Sequence, residues 1–256
     1  MTKKFICGHC NKTFMREDLS KQGCKFSDET LDGYKTLYKD VSYFGDPLIQ
    51  CPFCKYVNTS KFIYNKPSKY AKQVLQSGQY KGLFQTPNHT NKYFAYVMLK
   101  GDNLLNTINA LTTFYHYMLY NTNFFQEHDI QMDTDLLRNI RSDLIEKSWT
   151  YINQFCDKHP LPLNKETFNE VEFNEYMEIS YIYIDLLRQQ AQWSNLAYTL
   201  DEWLTLMYTY SFEIVKNNPN IAYAYKFILF EQNLLKKEDI SIHFKSEVKQ
   251  QEMYEY

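Results

Sequence analysis

Residues that build phosphate-binding loops are scarce in this chain, which has only 7 glycines among its 256 residues. It lacks a glycine-rich phosphate loop, a His-Glu-x-x-His pair and a Gly-x-Ser-x-Gly elbow, each of which marks a large group of enzymes. The Glu-x-x-His pairs of di-iron carboxylate bundles are also missing. We therefore predict no catalytic residue and no organic cofactor, and we expect a protein that is not an enzyme.

Long apolar runs are absent as well. No stretch of about 18 apolar residues occurs, so the sequence predicts no membrane-spanning helix. The first residues include two lysines with no apolar stretch behind them, a pattern unlike that of a signal peptide. We therefore expect a cytoplasmic protein, in which the six cysteines stay reduced and act as metal ligands or free thiols.

Acidic residues are missing from a long internal stretch, with none between Asp46 and Asp102. Residues 1–90 contain 14 Lys and Arg against 7 Asp and Glu, which gives a formal charge of +7. Residues 91–256 contain 14 against 23, which gives −9. The nearly neutral total of −2 therefore hides a basic first part and an acidic second part.

Four of the cysteines form two Cys-x-x-Cys pairs, Cys7 with Cys10 and Cys51 with Cys54. Each pair can bend two sulfurs toward one point, and two facing pairs supply the four thiolates of a tetrahedral zinc site. The forty residues between the pairs exceed the usual spacing of about 15–20, which predicts an insertion between two halves of a zinc ribbon. We expect one structural Zn²⁺ and a region that is unfolded without it.

Two other chemistries use the same kind of cysteine pair. Iron in a rubredoxin-like centre also takes four thiolates, although no residue pattern here indicates electron transfer. Cys-Gly-His-Cys is also the active-site motif of protein disulfide isomerases, which place it at the start of a helix that follows a strand. Position 7 leaves no room for that strand, and the second pair favours metal. We interpret Cys24 as a free thiol, with a substitute metal ligand as the alternative. His9 is interpreted as solvent-facing and Cys156 as a buried helical residue.

The chain divides into four predicted segments. Residues 1–64 form the zinc ribbon with its insertion, and residues 65–90 form a basic connector that contains several turn motifs. Residues 91–245 show helical periodicity, and residues 246–256 form a polar, flexible tail. The predicted fold class is mostly α, with a small N-terminal β-rich zinc ribbon followed by a helical-hairpin bundle that resembles tetratricopeptide repeats.

Apolar side chains at helical spacing mark three long helices. In residues 133–157 they fall on one face, which carries Leu136, Leu137, Ile140, Leu144, Trp149, Ile152 and Phe155. A second helix is capped by Asn164 and runs through Phe173, Met177, Ile184 and Leu187. A third begins at Asn218-Pro219, because proline suits the first helical position. Short turns between such helices predict antiparallel hairpins.

Titratable residues of the helical part suggest no reaction. Four acids of the second helix are interpreted as a solvated face: Glu172, Glu175, Glu178 and Asp185. His116 lies among aromatic residues and is interpreted as a core or boundary histidine. His128 lies between two acids and is interpreted as part of a loop or a helix start.

The second cysteine pair and the residues before it resemble an uncharacterised bacterial family. In that family a split zinc ribbon precedes a tetratricopeptide-like helical domain, and the second knuckle reads Cys-Pro-x-Cys-Gly-Tyr after an Asn-Pro-containing segment. Asp46-Pro47 and Cys51-Pro52-Phe53-Cys54 fit this pattern, whereas Lys55 stands where the family has glycine. The resemblance covers about the first 65 residues. It implies a fold and a metal and carries no activity over.

A lysine-rich stretch follows the second cysteine pair and bears on function. Lysines alternate there with aromatic rings, which fits a surface that binds single strands and equally a solvated lysine-rich surface with aromatic rings packed beneath it. The candidate nucleic-acid contacts are Lys55, Lys61, Lys66, Lys69, Lys72, Tyr56, Tyr64 and Tyr70. The first hypothesis is nonetheless a zinc-binding adaptor whose acidic helical domain recognises a protein partner. A nucleic-acid-binding regulator that uses residues 55–100 is the alternative.

Overall fold

The structure is a computed structural model that contains two compact units. Unit 1 comprises Met1–Lys25 and Leu37–Asp143, and unit 2 comprises Phe26–Thr36 and Leu144–Tyr256. The units are interleaved along the sequence, because the chain leaves unit 1 after residue 25 and returns to it at residue 37. The residues described below are 2–17, 26–37, 47–86, 88–121, 125, 131–159, 169–209 and 219–250.

Short antiparallel pairs make up the β structure of the described residues. The strands are β1 (Thr2–Ile6), β2 (Thr13–Glu17), β3 (Phe26–Glu29), β4 (Lys35–Leu37), β5 (Leu48–Gln50) and β6 (Val57–Thr59). In unit 1, β1 pairs with β2 and β5 pairs with β6, with Phe5 opposite Phe14 and Ile49 opposite Asn58. Strand β3 pairs with β4. An isolated two-stranded ribbon is marginally stable in water, so these pairs depend on what packs against them.

Helices account for most of the regular structure. They are α1 (Lys69–Gln76), α2 (Gly78–Gly82), α3 (Asn91–Leu99), α4 (Leu104–Tyr120), α5 (Thr134–Lys158), α6 (Glu170–Gln189), α7 (Trp193–Thr209), α8 (Pro219–Lys237) and α9 (Lys245–Gln250). The predicted fold class, mostly α with a small N-terminal β part, is confirmed. In the part of the chain that is described, no helix has the length and apolar content needed to cross a membrane.

Side-chain caps begin three helices of unit 1, α1, α2 and α4, and aromatic rings pack between α3 and α4. The Ser68 hydroxyl caps α1 and the Asn103 carboxamide caps α4, each accepting a hydrogen bond from a backbone N–H in the first turn. Between α3 and α4 the rings of Tyr93 and Tyr117 stack with their centroids 4.0 Å apart. Residues 65–90, predicted as a connector, contain α1 and α2 and belong to this unit.

Helix α5 matches the sequence prediction closely in its bounds. Leu144, Ile152 and Phe155 are buried on the predicted face. The prediction that Cys156 is buried was wrong, since its thiol side chain is exposed. Cys156 follows the buried Phe155 directly, and one step along a helix rotates a side chain by about 100°, away from the buried face.

Helices α6 and α7 form a helical hairpin that is joined by a three-residue turn. Asn169 caps α6 by accepting a hydrogen bond from the Val171 N–H at 3.0 Å. The predicted cap, Asn164, lies outside the described residues. The turn uses Ala191 at φ 54°, a left-handed conformation that lets the chain reverse. The predicted core positions of α6 are all buried: Phe173, Met177, Ile184 and Leu187.

A buried ionic cluster joins α6 to α8 within unit 2. The Arg188 guanidinium pairs with Asp185 and, at 3.2 Å, with Glu231, and none of these side chains is exposed to any significant extent. Its Nη1 also donates to the backbone carbonyls of Asp239 at 2.9 Å and Ser241 at 2.6 Å. The interpretation of Asp185 as part of a solvated face was therefore wrong, because Arg188 one turn later takes its carboxylate into the core.

The β3–β4 hairpin belongs to unit 2 and bonds to residues far along the chain. The Leu31 N–H donates to the His243 carbonyl at 3.1 Å, and Thr30 bridges to Phe244. Lys245 Nζ lies 2.8 Å from a carboxylate oxygen of Glu29. Residues 245–250, most of which fall in the predicted flexible tail, form α9.

Candidate metal centre

The first Cys-x-x-Cys pair forms a tight knuckle directly after β1. The Cys7 N–H donates to the Lys12 carbonyl at 3.1 Å, and the Asn11 N–H donates back to the Cys7 carbonyl at 2.9 Å. The Cys7 sulfur in addition accepts hydrogen bonds from the backbone of His9 and Cys10. Both cysteine side chains are thereby turned to the same side of the loop.

The second pair repeats this geometry at equivalent positions after β5. The Cys51 N–H donates to the Tyr56 carbonyl at 2.9 Å, and the Lys55 N–H donates to the Cys51 carbonyl at 3.0 Å. The Cys54 sulfur accepts a hydrogen bond from the Tyr56 backbone. Two segments that share little sequence beyond their cysteines thus adopt one knuckle conformation.

Each knuckle places the residue after its second cysteine in the left-handed region. Asn11 has φ 58° and Lys55 has φ 63°. Asparagine tolerates this conformation, whereas for lysine it costs roughly 1–2 kcal/mol. Lys55 therefore completes a turn that glycine would adopt at a lower cost in free energy.

The four sulfurs lie at the corners of a small tetrahedron. Cys7 Sγ is 3.5 Å from Cys54 Sγ, and Cys10 Sγ is 3.7 Å from Cys51 Sγ, with all four within 4.8 Å of one another. A zinc ion with bonds of about 2.3 Å would space its ligands about 3.8 Å apart. A disulfide would require about 2.05 Å, and all four cysteines are free thiols. The cluster could therefore hold a metal ion.

Burial makes a cation necessary if all four groups are to be thiolates. Cys7 and Cys51 are fully buried, and Cys10 and Cys54 are partly so. Burial raises the pKa of Cys7 and of Cys54. Burial acts in the same direction on Cys10, but hydrogen bonds from the Lys12 backbone and the neighbouring thiols outweigh it and lower the pKa. Metal ligation requires the deprotonated forms, which a divalent cation stabilises.

Gly8 lets the first knuckle pack closely against residues 63–65, which follow the second knuckle. Its N–H donates to the Ile63 carbonyl at 2.9 Å. A Cβ at this position would lie 2.1 Å from the Asn65 carbonyl oxygen, closer than any side chain can approach. Glycine is therefore required here, and local sequence does not reveal this role because the partner segment lies more than fifty residues away.

Tyr80 supports the second knuckle from helix α2. Its side chain is buried, and its hydroxyl donates to the Lys55 carbonyl at 2.7 Å. Burial raises the pKa of Tyr80, so the hydroxyl stays protonated and remains a donor at all ordinary pH values. The ring of Phe53, which is 54% exposed, lies beneath Lys12 Nζ at 4.9 Å and links the two knuckles.

The predicted nucleic-acid contacts divide into exposed and buried residues. Seven of the eight are exposed: Lys55, Lys61, Lys66, Lys69, Lys72, Tyr64 and Tyr70. Tyr56 does not fit the prediction, because it is only 3% exposed. Its hydroxyl accepts a hydrogen bond from Asn58 at 2.9 Å and donates to the Asn65 carbonyl. It stabilises the turn after β6 and presents no ring face to solvent.

Two clefts open on the described surface of unit 1. One, of about 400 Å³, lies against Cys54 and is lined by rings that include Phe53 and Phe84. The other, of about 350 Å³, lies beyond β6 and carries Phe62 together with lysine, asparagine and aspartate side chains.

The remaining predictions concern isolated residues. His9 is half-buried with its ring centroid 6.3 Å from that of Tyr56, so it does not simply face solvent. His116 is buried in α4, as predicted. Cys24, Asp46 and His128 lie outside the described residues.

The chain matches no family model, no curated protein and no solved structure. The class of protein therefore follows from its fold and its site. It is a mostly helical protein with an N-terminal four-cysteine cluster that could hold a metal ion. The resemblance to the bacterial family with a split zinc ribbon stays a prediction.

Proposed function

We propose that the four cysteines hold one structural zinc ion and that unit 1, which this ion stabilises, binds nucleic acid. The observation that carries the proposal is the surface beside the second knuckle. It exposes lysines and aromatic rings together, over a stretch of sequence without any acidic residue.

Zinc is supported by the donor set. Four thiolates in two knuckles, with backbone N–H groups directed at the sulfurs, suit a tetrahedral ion that takes no part in a reaction. Iron would accept the same ligands. Native mass spectrometry and elemental analysis of chain purified without chelator should give one zinc per molecule. One iron per molecule, with the visible absorption of a ferric thiolate centre, would contradict this assignment.

Nucleic-acid binding is supported by the form of the lysine surface. Lys69 and Lys72 lie one turn apart on α1, and Lys61 and Lys66 lie in the turn that precedes it. Exposed lysines can neutralise phosphates, and exposed rings nearby can stack on bases. Phe53, Phe62, Tyr64 and Tyr70 supply such rings.

Recognition of a protein partner, the first hypothesis from the sequence, has less support. Within the described part of unit 2, the large apolar side chains that are exposed are few: Val171, Tyr198, Ile240 and Ile242. They come from three different segments of that unit. An adaptor role is the alternative function, and the binding experiment below must distinguish it from nucleic-acid binding.

The test is binding of a fluorescent single-stranded oligonucleotide over a range of salt concentrations. The variant Lys61→Gln/Lys66→Gln/Lys69→Gln/Lys72→Gln should bind more weakly. The slope of log affinity against log salt concentration should become shallower by about 0.7 for each phosphate contact that is lost. The matched control is Lys158→Gln/Lys236→Gln/Lys237→Gln/Lys249→Gln, which removes the same charge from exposed positions of unit 2. Equal weakening in both variants, or no binding at low salt, would refute the proposal.

A further inference from the structure

The 350 Å³ cleft of unit 1 combines an aromatic ring with charged and amide side chains. It lies between β6, the turn of residues 60–68 and the junction of α3 with α4. Its volume is at the lower end of the range for small-molecule sites, about 300–1,000 Å³. That volume is close to what a single nucleotide occupies.

One side of the cleft is apolar and offers a ring. Phe62 lines it and is 43% exposed, so part of its surface is open to a ligand. Val57 and Leu99, both buried, also line the cleft. An exposed phenylalanine among apolar side chains offers a surface on which a base can stack.

The other side is polar and carries both signs of charge. Lys66 and Lys100 line it and can contact a phosphate. Asp102 also lines it, and its Oδ2 accepts a hydrogen bond from the Ser68 hydroxyl at 2.9 Å. The exposed carboxamide of Asn106 lies in the same wall. A carboxylate and an amide can accept hydrogen bonds from sugar hydroxyls and from the donor edge of a base.

We propose that this cleft holds one unpaired nucleotide of a bound strand, so that unit 1 prefers single-stranded to duplex nucleic acid. The inference rests on the proposed function and specifies its ligand. In a duplex each base is stacked between its neighbours, and its face cannot reach Phe62 unless the base leaves the stack. The lysine surface alone would bind both forms, whereas the cleft distinguishes them.

The experiment measures affinities of the zinc-loaded full chain for a 12-nucleotide single strand, for the blunt duplex of the same sequence and for free adenosine monophosphate. The wild-type protein should bind the single strand at least 10-fold more tightly than the duplex. Phe62→Ala should lose about 10-fold for the single strand and leave duplex affinity unchanged, since stacking on one ring accounts for a factor of this order. Phe62→Tyr should restore the preference.

Two further variants guard against effects on folding. Phe62→Leu keeps an apolar side chain without a ring and should behave like Phe62→Ala, with zinc content unchanged. Tyr198→Ala removes a similarly exposed ring from unit 2 and should leave both affinities unchanged.

The outcomes separate the two proposals. Lysine-dependent binding with equal affinity for strand and duplex, or with no response to Phe62→Ala, overturns the cleft assignment and leaves the proposed function standing. Adenosine monophosphate that binds as tightly as the oligonucleotide overturns the assignment of the cleft to a strand. Failure to bind any nucleic acid overturns both proposals.

Discussion

Unit 1 combines two short strand pairs with helices, whereas three long helices dominate the described part of unit 2. The strands of unit 1 have three to five residues, and two of its cysteines are fully buried at the centre of two knuckles. Unit 2 packs α6, α7 and α8, which have 20, 17 and 19 residues. Short ribbons bury little apolar surface, whereas long amphipathic helices bury much. We therefore expect removal of a bound metal ion to destabilise the first unit and to leave the second unchanged.

The units also differ in charge. Unit 1 contains 17 Lys and Arg against 10 Asp and Glu, and unit 2 contains 11 against 20. Four thiolates and one divalent cation would lower the charge of unit 1 from +7 to +5. We therefore expect a polyanion to be attracted to the first unit and repelled by the second.

The largest expected effect comes from Cys51→Ser. Loss of one ligand should release the metal and unfold unit 1, because such sites contribute about 10–16 kcal/mol on binding. All three tryptophans lie in unit 2, so tryptophan fluorescence should remain native. Hydrogen exchange read by mass spectrometry should lose protection in α1 to α4 only. Full protection of unit 1 from hydrogen exchange in metal-free Cys51→Ser would show that neither unit depends on a metal.

Arg188→Met should have the largest effect on unit 2. It leaves the buried carboxyl groups of Asp185 and Glu231 without their cationic partner, and unit 2 should lose about 3–5 kcal/mol of stability at a pH at which both are ionised. The measurement is urea unfolding followed by tryptophan fluorescence. Lys158→Met, which breaks an exposed pair with Glu172 in the same unit, should leave the transition nearly unchanged. Similar shifts in both variants would mean that burial of the cluster is unimportant.

Gly8→Ala should weaken the metal site from outside the ligand set. The added Cβ would meet the Asn65 carbonyl, and the knuckle must move away at a cost of about 1–3 kcal/mol. Zinc affinity, measured by competition with a chelator, should fall accordingly. Gly82→Ala is the control, because nothing lies within 4 Å of its added Cβ. Unchanged affinity in Gly8→Ala would show that the knuckle does not need this contact.

The buried carboxyls should make unit 2 sensitive to pH. Burial raises the pKa of Glu231 from 4.5 to about 8, although Arg188 opposes this shift. The folded protein then holds a proton that the unfolded chain releases, so stability falls as pH rises from about 4.5 to about 8 and levels off above. Urea unfolding at several pH values, detected by tryptophan fluorescence, measures how steeply the free energy of unfolding depends on pH. Burial also raises the pKa of Asp185, to about 6, so Glu231→Gln should flatten the slope between about pH 6 and pH 8. An unchanged slope in that range would assign the proton elsewhere.

The smallest expected effect is a gain. Lys55→Gly removes the strain of a left-handed lysine and should stabilise metal-bound unit 1 by about 1 kcal/mol. Lys55→Ala removes the same charge and keeps the Cβ, so it should give no gain. The measurement is thermal unfolding of unit 1 in each variant, detected by the release of the metal. A gain of equal size in both variants would point to charge and not to backbone conformation.

Local pattern was enough to predict the four cysteines and helix α5. Both are set by spacing, which the sequence displays directly. The roles of Gly8 and Tyr80 could not be predicted in this way, because each depends on a backbone carbonyl of a distant segment. Asp185 was misread for the same reason. Its carboxylate is buried because it pairs with Arg188, which also pairs with Glu231 of α8. Only the fold brings Glu231 to α6.

The β3–β4 hairpin has a consequence for how the protein is made. Its contact between Glu29 and Lys245 joins residues 216 positions apart. At about 5–20 residues per second, a ribosome needs roughly 10–40 s to deliver the second partner after the first. Both cysteine pairs emerge early in that interval and can close around a metal. The nascent chain therefore carries a finished first unit and an unpaired hairpin, whose strand edges are open to chaperones or to neighbouring chains until synthesis is nearly complete.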